Sequence, residues 1–253
     1  VMNGLQNDLR DKILIASPHL RLLTYGPGLR LEDWPAVRQR VLTHPQVVAA
    51  APFVLSEGLI SAGHDYHEGV QVLGVEPDTG TAAVTTLARH FIRGDLRFLT
   101  TRNDVEGGVV LGKRVAERLS AYPGDRGTVV SPGGSKFNAA LGAFTPKFWY
   151  LEVTGEFETG MYEYDNTYIV LPRELAQRFA ALGAAVTGLE VRIVDPWKAV
   201  EVGEDLESSL RYPYRALDWQ RQNASLFSAL KLEKLAMGLV LLLIIVVAAF
   251  NIV

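Results

Sequence analysis

The chain has 253 residues, 48% of them hydrophobic and 21% charged, with a formal net charge of -3 and no cysteine. That composition excludes a disordered or collagen-like chain, and it excludes a disulfide framework or a thiolate metal site. No basic stripe interleaved with aromatics is present, so nothing favours nucleic acid as a partner.

In chain order, Val1, Leu5, Leu9 and Ile13 recur every fourth residue among polar neighbours, an amphipathic helix that Ser17-Pro18 ends. Residues 1–16 are therefore expected to form the end of a preceding membrane helix or its stalk, with both chain ends cut. His19 to Thr24 reads as a strand. Glu32 or Asp33 is expected to cap a helix to Leu42 with Pro35 in its first turn. Val47 to Ile60 and Val70 to Val75 read as a hairpin around the polar loop SAGHDYHEG. Within that loop His64 and His67, flanked by Asp65 and Glu68, have metal-like composition. An i,i+3 pair on a loop does not fix ligand geometry, and a solvated loop is the expectation.

Thr81 to Phe91 is expected to be helical, Gly108 to Leu111 a strand and Lys113 to Ser120 a helix. Gly127 to Ser131 reads as a short strand. Leu151 to Glu158 alternates, placing Leu151, Val153 and Phe157 on one face and Glu152, Glu156 and Glu158 on a wet one. Tyr168 to Leu171 is a strand, and Pro172 opens a helix to Leu182. Leu189 to Val194 is a strand, Pro196 to Leu210 a helix and Tyr214 to Leu217 a strand. Asp218 is expected to cap one continuous helix from Trp219 onward, a stiff rod able to carry motion.

From Leu235 to Val253 that helix has no charged residue, with Leu235, Leu242, Ile245 and Phe250 along an apolar run of nineteen. Such a run rises about 28 Å, close to the thickness of a bilayer's hydrocarbon. A transmembrane helix is the expectation. No G-x-x-x-x-G-K-[ST] loop occurs, because Gly112-Lys113 is followed by Arg114 and Lys136 by Phe137. No G-x-S-x-G turn occurs either, and no catalytic or cofactor-binding residue is assigned.

The segment Pro132 to Phe148 (PGGSKFNAALGAFTPKF) stands apart. It lies between two strand-like runs, is rich in Gly and Ala, and carries Phe137, Leu141, Phe144 and Phe148 together with Gly142 and Pro146. A hairpin loop of that length is ordinarily polar. Two readings stay open: a loop tucked onto its own domain, or a protruding hairpin that offers apolar residues to a partner protein.

Several stretches resemble lipoprotein-releasing ABC transporter permeases of the LolC/LolE type, with a MacB-like periplasmic core domain. They are VMNGLQNDLRDKIL at 1–14, AAPFVLSEGLIS at 50–61, VVLGKRVAERL at 109–119, FETGMYEYDNTYIVLPRELAQRF at 157–179 and LFSALKLEKLAMGLVLLLIIVVAAFNIV at 226–253. The resemblance implies an α+β fold: a ferredoxin-like periplasmic subdomain (17–75 and 186–217), an inserted second α+β subdomain (76–185) carrying the hairpin 132–148, and a stalk and transmembrane helix (218–253). It implies a bacterial inner-membrane protein with its main domain in the periplasm. It further implies a cytoplasmic ATPase partner, a second permease subunit, membrane lipid, a lipoprotein substrate and a periplasmic lipoprotein carrier, which one permease type recruits through a protruding hairpin called the hook. Gly142 to Pro146 resembles the tip of such a hook. Lys231 and Lys234 sit on the domain side of the membrane run, where basic residues usually mark the cytoplasm. Glu233 offsets one, and lysines snorkel at interfaces, so the periplasmic side is retained. Three other functions compete: an export permease for peptides or small molecules, a non-transporting membrane regulator of cell-wall hydrolases, and a membrane-anchored hydrolase.

Overall fold

The computed structural model describes residues 12–15, 17–26, 29–62, 66–76, 84–138 and 143–252; the side chains of 132–145, 226, 230–231 and 249–252 lie outside the description. Among the described residues the bounded strands and α-helices follow in order: β1 (Leu20–Thr24), α1 (Trp34–Leu42), β2 (Val47–Ser61), β3 (Glu68–Val75), β4 (Phe91–Arg93), β5 (Gly107–Gly112), α2 (Lys113–Leu119), β6 (Arg126–Asn138), β7 (Ala143–Phe157), α3 (Tyr162–Thr167), β8 (Tyr168–Pro172), α4 (Arg173–Phe179), β9 (Gly188–Ile193), α5 (Ala199–Leu210), β10 (Tyr214–Asp218), α6 (Trp219–Gln222) and α7 (Ala224–Ile252).

The first and last strands make one antiparallel sheet in the order β10-β1-β9-β2. With α1 and α5 as crossovers, this is the ferredoxin-like arrangement, built from both ends of the chain. On α5 the buried residues Ala199, Val202, Gly203, Leu206 and Leu210 fall at helical spacing and form its core stripe. Gly203 allows close packing there, since a Cβ would come 3.2 Å from the Ala216 Cβ and 3.3 Å from Leu20 Cδ2. The outer edge of this sheet is partly sealed by Glu207, whose Oε1 accepts the Ala216 N–H at 2.6 Å.

β2 is long enough to leave that sheet. Its first half, Val47 to Phe53, pairs β9, and from Val54 onward it pairs β3. The pairings then run β3 to β8, β8 to β5, β5 to β7, β7 to β6, and β6 back to β2. Six strands thus close into a barrel, with β3–β8 and β5–β7 parallel. Closure pairs ladder edges that an open sheet would expose. Val72, Val109, Leu111, Val129, Leu151, Ile169 and Leu171 are fully buried in its core. α4 packs Leu175, Ala176 and Phe179 onto the same cluster. β3, expected to stay with the first sheet, belongs by its pairings to the barrel, because β8 offers it a parallel partner that local sequence does not reveal.

The barrel's flank covers the face of the first sheet opposite its helices. Leu23 and Phe53 pack there against Leu73, with Tyr168 and Leu217 at the margin. Arg21 and Glu190, cross-strand neighbours on β1 and β9, form a salt bridge at 3.1 Å in this junction, and both are largely buried. Burial pushes the Glu190 carboxyl up, and the Arg21 guanidinium opposes that push. The Ser17 hydroxyl hydrogen-bonds the Tyr164 hydroxyl across the same seam.

Four expectations need correction. Described residues of Thr81 to Phe91 form only a short 3-10 turn, Leu87–His90, before β4, since Leu87 is drawn into a small cluster with Phe98, Val110 and Phe157. The strand expected to end at Ser131 runs on to Asn138. Glu152 is not on a wet face: it is 3% exposed, accepting hydrogen bonds from the Thr101 N–H and hydroxyl and the Arg102 N–H, because the chain before β5 folds over it. The rod from Trp219 is broken. Asp218 does cap α6, accepting from the Gln220 and Arg221 N–H groups, but Asn223 leaves helical geometry (φ -111, ψ 33) before α7 begins.

α7 is 29 residues long. Leu242 and Ile245, on this helix, are 60% and 64% exposed. Among the described residues no helix is long and apolar enough to cross a membrane.

Candidate partner-binding site

β6 and β7 form the segment that sequence set apart. At the barrel wall β6 pairs β2 through Thr128 to Val130 and β7 through Arg126 to Ser131. Beyond Ser131 the register shifts, and the ladder resumes with Lys136↔Thr145, Phe137↔Phe144 and Asn138↔Ala143. In that outer part the two strands pair only each other among the described residues. Residues 132–138 and 143–146 are therefore a two-stranded ribbon that continues β6 and β7 beyond the barrel wall. The irregularity falls at Pro132-Gly133-Gly134, where Pro lacks a ladder donor and glycine permits a bulge.

Of the residues singled out from sequence, Phe137 and Phe144 are directly opposed across the ribbon. Pro146 and Phe148 lie at its root, both exposed, Phe148 by 51%. Leu141 and Gly142 lie outside the described residues. His64 and Asp65 also lie outside; His67 is exposed, and the described residues hold no metal-binding group of three or more side chains.

The root is firmly held. Trp149 is buried against Phe179 at 5.9 Å between ring centroids, and Lys147 Nζ lies 3.8 Å above the Trp149 ring. Arg126 sits over the Tyr150 ring at 4.1 Å. The buried Ser131 hydroxyl donates to the Phe179 carbonyl at 2.9 Å. These contacts anchor the root of the ribbon to α4 and to the barrel wall. Sequence reading missed Lys147, Trp149, Ser131 and Phe179 as its anchors. The alternation of Lys147, Trp149 and Leu151 continues the inward face of β7 and is the signal that would have found Trp149.

Below the first sheet, Trp219 joins the domain to α7. It is fully buried, donates Nε1–H to the Pro196 carbonyl at 2.8 Å, and packs edge-on against Trp197 at 5.3 Å and Phe227 at 5.4 Å. His19, whose carbonyl accepts the Trp219 N–H, takes a hydrogen bond on Nδ1 from the Ile193 N–H. Burial lowers its pKa to about 4, so the imidazole is neutral.

Comparison with known proteins places this geometry. Residues 1–209 match the model of the MacB-like periplasmic core domain. Across its whole length the chain is 33% identical to the lipoprotein-releasing system transmembrane protein LolC of Xylella fastidiosa, and it covers 58% of that protein. It is 31% identical to LolC of Neisseria meningitidis and 28% identical to LolE of Haemophilus influenzae, covering 59% of each. The chain thus spans little more than half the length of these relatives. Among solved structures, the periplasmic region of MacB from Actinobacillus actinomycetemcomitans aligns with a TM-score of 0.50 at 12% identity, over 88% of this chain and 97% of that one. That likeness shows the fold.

Proposed function

We propose, from the premise that the chain belongs to the family of MacB-like periplasmic core domains, that it is the periplasmic part of a LolC/LolE-type permease subunit. In this reading the whole protein extracts lipoproteins from the bacterial inner membrane and passes them to a periplasmic carrier. A separate cytoplasmic ATPase supplies the energy, and a second permease subunit completes the membrane channel. The likeness to lipoprotein-releasing system transmembrane proteins supports the transport role. The lack of any phosphate-cradling loop supports the separate ATPase.

α7 is the second anchor of the domain. Twenty-nine residues rise about 43 Å, more than the roughly 30 Å of bilayer hydrocarbon. Leu235, Leu242 and Ile245 are exposed along it. Such side chains find a favourable surrounding in lipid and an unfavourable one in water. The domain sits at the periplasmic end, and the Trp197–Trp219–Phe227 stack fixes the direction in which α7 leaves.

The observation that supports the reading is the ribbon β6–β7, which beyond Ser131 pairs only with itself among the described residues and whose sequence is rich in apolar side chains. Phe137, Leu141, Gly142, Phe144, Pro146 and Phe148 form the surface that receives the carrier. The test is carrier affinity and thermal unfolding measured together on the full chain. Phe144→Asp and Leu141→Asp are each expected to weaken carrier binding by about 100-fold or more, the scale of a central hot spot, with the melting temperature unchanged. Unchanged affinity in both variants would remove the hook assignment. A collapsed melting temperature would show that these residues serve the domain's own core.

A further inference from the structure

The registers of the open sheet bring four strand ends together. Asp218 at the end of β10 pairs Leu20 at the start of β1, Leu20 pairs Val191 near the end of β9, and Ile193 pairs Val47 at the start of β2. These strand ends form one rim, and α6 and α7 leave from it. Along it Val48, Val194 and Trp197 are exposed, by 49%, 67% and 43%. A single exposed apolar residue is ordinary, but here the backbone turns each of them out at one edge. The β2–β9 register shifts between Val47 and Ala49, so Val48 is the extra residue of a bulge. Val194 follows the last paired residue of β9, and its N–H donates to the Gln46 carbonyl at 2.9 Å. The Asp195 carboxylate accepts the Trp197 N–H at 3.0 Å, fixing the turn that brings the indole beside Trp219.

The spacing between this rim and α7 decides what can cover it. Trp197 packs on Trp219, and Trp219 on Phe227, so the rim is held at the level of Phe227. Lys231, Glu233 and Lys234 begin four residues later, about 6 Å along the helix, and the uncharged run starts at Leu235. Charges are costly in hydrocarbon, so where α7 enters a bilayer these three lie in the headgroup layer. A gap of about 6 Å is narrower than a helix, whose diameter with side chains is about 10–12 Å, so no folded protein layer fits between rim and lipid. Lipid headgroups do fit. Trp is amphipathic and settles at that level, and Val adds apolar area with no polar group to desolvate. Lys198, exposed next to Trp197, suits the headgroup phosphates.

We infer that this rim rests in the headgroup layer of the bilayer that α7 enters, so that the domain is seated on lipid as well as tethered to it. The inference rests on the membrane reading of α7. The chain contains no cysteine, so a single introduced cysteine carries a nitroxide label at one known place. The full chain is reconstituted in nanodiscs of phosphatidylcholine and phosphatidylglycerol. Collisions of the label with oxygen, which concentrates in lipid, and with a water-soluble nickel chelate are then measured. Leu242→Cys on α7 sets the lipid limit, and Tyr212→Cys, 84% exposed at the opposite end of the sheet, sets the water limit. Val48→Cys and Val194→Cys are expected to show nickel collisions several-fold below Tyr212→Cys, with oxygen collisions at least as frequent. Brominated phosphatidylcholine should quench the parent's tryptophan fluorescence, and Trp197→Phe, which keeps a ring against Trp219, should lose most of that quenching. Nickel collisions at both rim labels equal to those at Tyr212→Cys, with Leu242→Cys still in lipid, would overturn the seating and leave the membrane helix intact. Protection of both rim labels from nickel and oxygen alike would overturn it in favour of a covering protein, and so would equal quenching in the parent and Trp197→Phe. A Leu242→Cys label that meets nickel as freely as Tyr212→Cys would remove the membrane reading of α7 itself, and the seating with it.

Discussion

The two halves of this domain reach stability by opposite routes, although β2 runs through both. The ferredoxin-like sheet is open; its strands are joined by helices whose apolar stripes can be read locally, and its outer edge is guarded by Glu207. The barrel has no such guard at its closure and needs none, because β6 returns to β2. Its strands meet through pairings that span most of the insertion. The open sheet is the part tied to α7, through Trp219, Trp197 and Phe227. The closed barrel is the part that carries the ribbon. In the proposed reading, attachment to the membrane and presentation to a partner are divided between the halves, and the junction around Arg21, Glu190 and Phe53 is where the two halves meet.

That division can be broken most strongly at the junction. Arg21→Met leaves Glu190 buried without its partner and should cost about 3–5 kcal/mol in chemical denaturation, while Arg21→Met with Glu190→Leu should recover most of the loss. If the single variant were as stable as the parent, the junction pair would not be joining the halves. A smaller effect is expected inside the barrel. Glu152→Gln weakens charge-assisted bonds to the Thr101 and Arg102 amides and should cost about 1–3 kcal/mol, against roughly 0.5 kcal/mol or less for Glu156→Gln on the same strand. Equal effects would mean that the overlying segment 98–106 is not held by Glu152.

The smallest effect tests the half that joins α7. His19 has a folded pKa of about 4, below the 6.5 of the unfolded chain, so the unfolded state takes up the proton first. Its contribution is complete above pH 6.5 and is lost as the pH falls from 6.5 towards 4. Relative to His19→Gln, the parent should lose about 1–3 kcal/mol between pH 7 and pH 4.5. Melting curves of both proteins at the two pH values decide this; parallel losses would show that His19 is not buried as the neutral base.

Much of the open sheet was legible residue by residue. β1, α1, the start of β2, β9 and β10 were found because each carries its own period and its own terminators, such as Pro35 in the first turn of α1 and Asp218 at the start of α6. The barrel was not legible as a barrel. Its strands were recognised one at a time, but nothing near β3 announces that β8 will lie beside it, and parallel partners far apart in sequence leave no local signature. The error at Glu152 has the same origin. Alternation correctly marked a strand, yet whether the charged face meets water depends on the segment before β5, which covers it.

For the candidate site, the sequence by itself determined that 132–148 is apolar where a loop should be polar, and that the run after Leu235 has no charge. Composition is a property of the residues alone, and it survives any folding. Only the tertiary structure decided that the first of these segments is a two-stranded ribbon, that Trp149 and Phe179 hold its root, and that Leu59, Val130 and Phe148 fall into one row. Those facts depend on register between strands up to ninety residues apart, from Leu59 on β2 to Phe148 on β7. A shift of one residue in any of these pairings would turn the row inward, and no single strand's sequence encodes its neighbour's register.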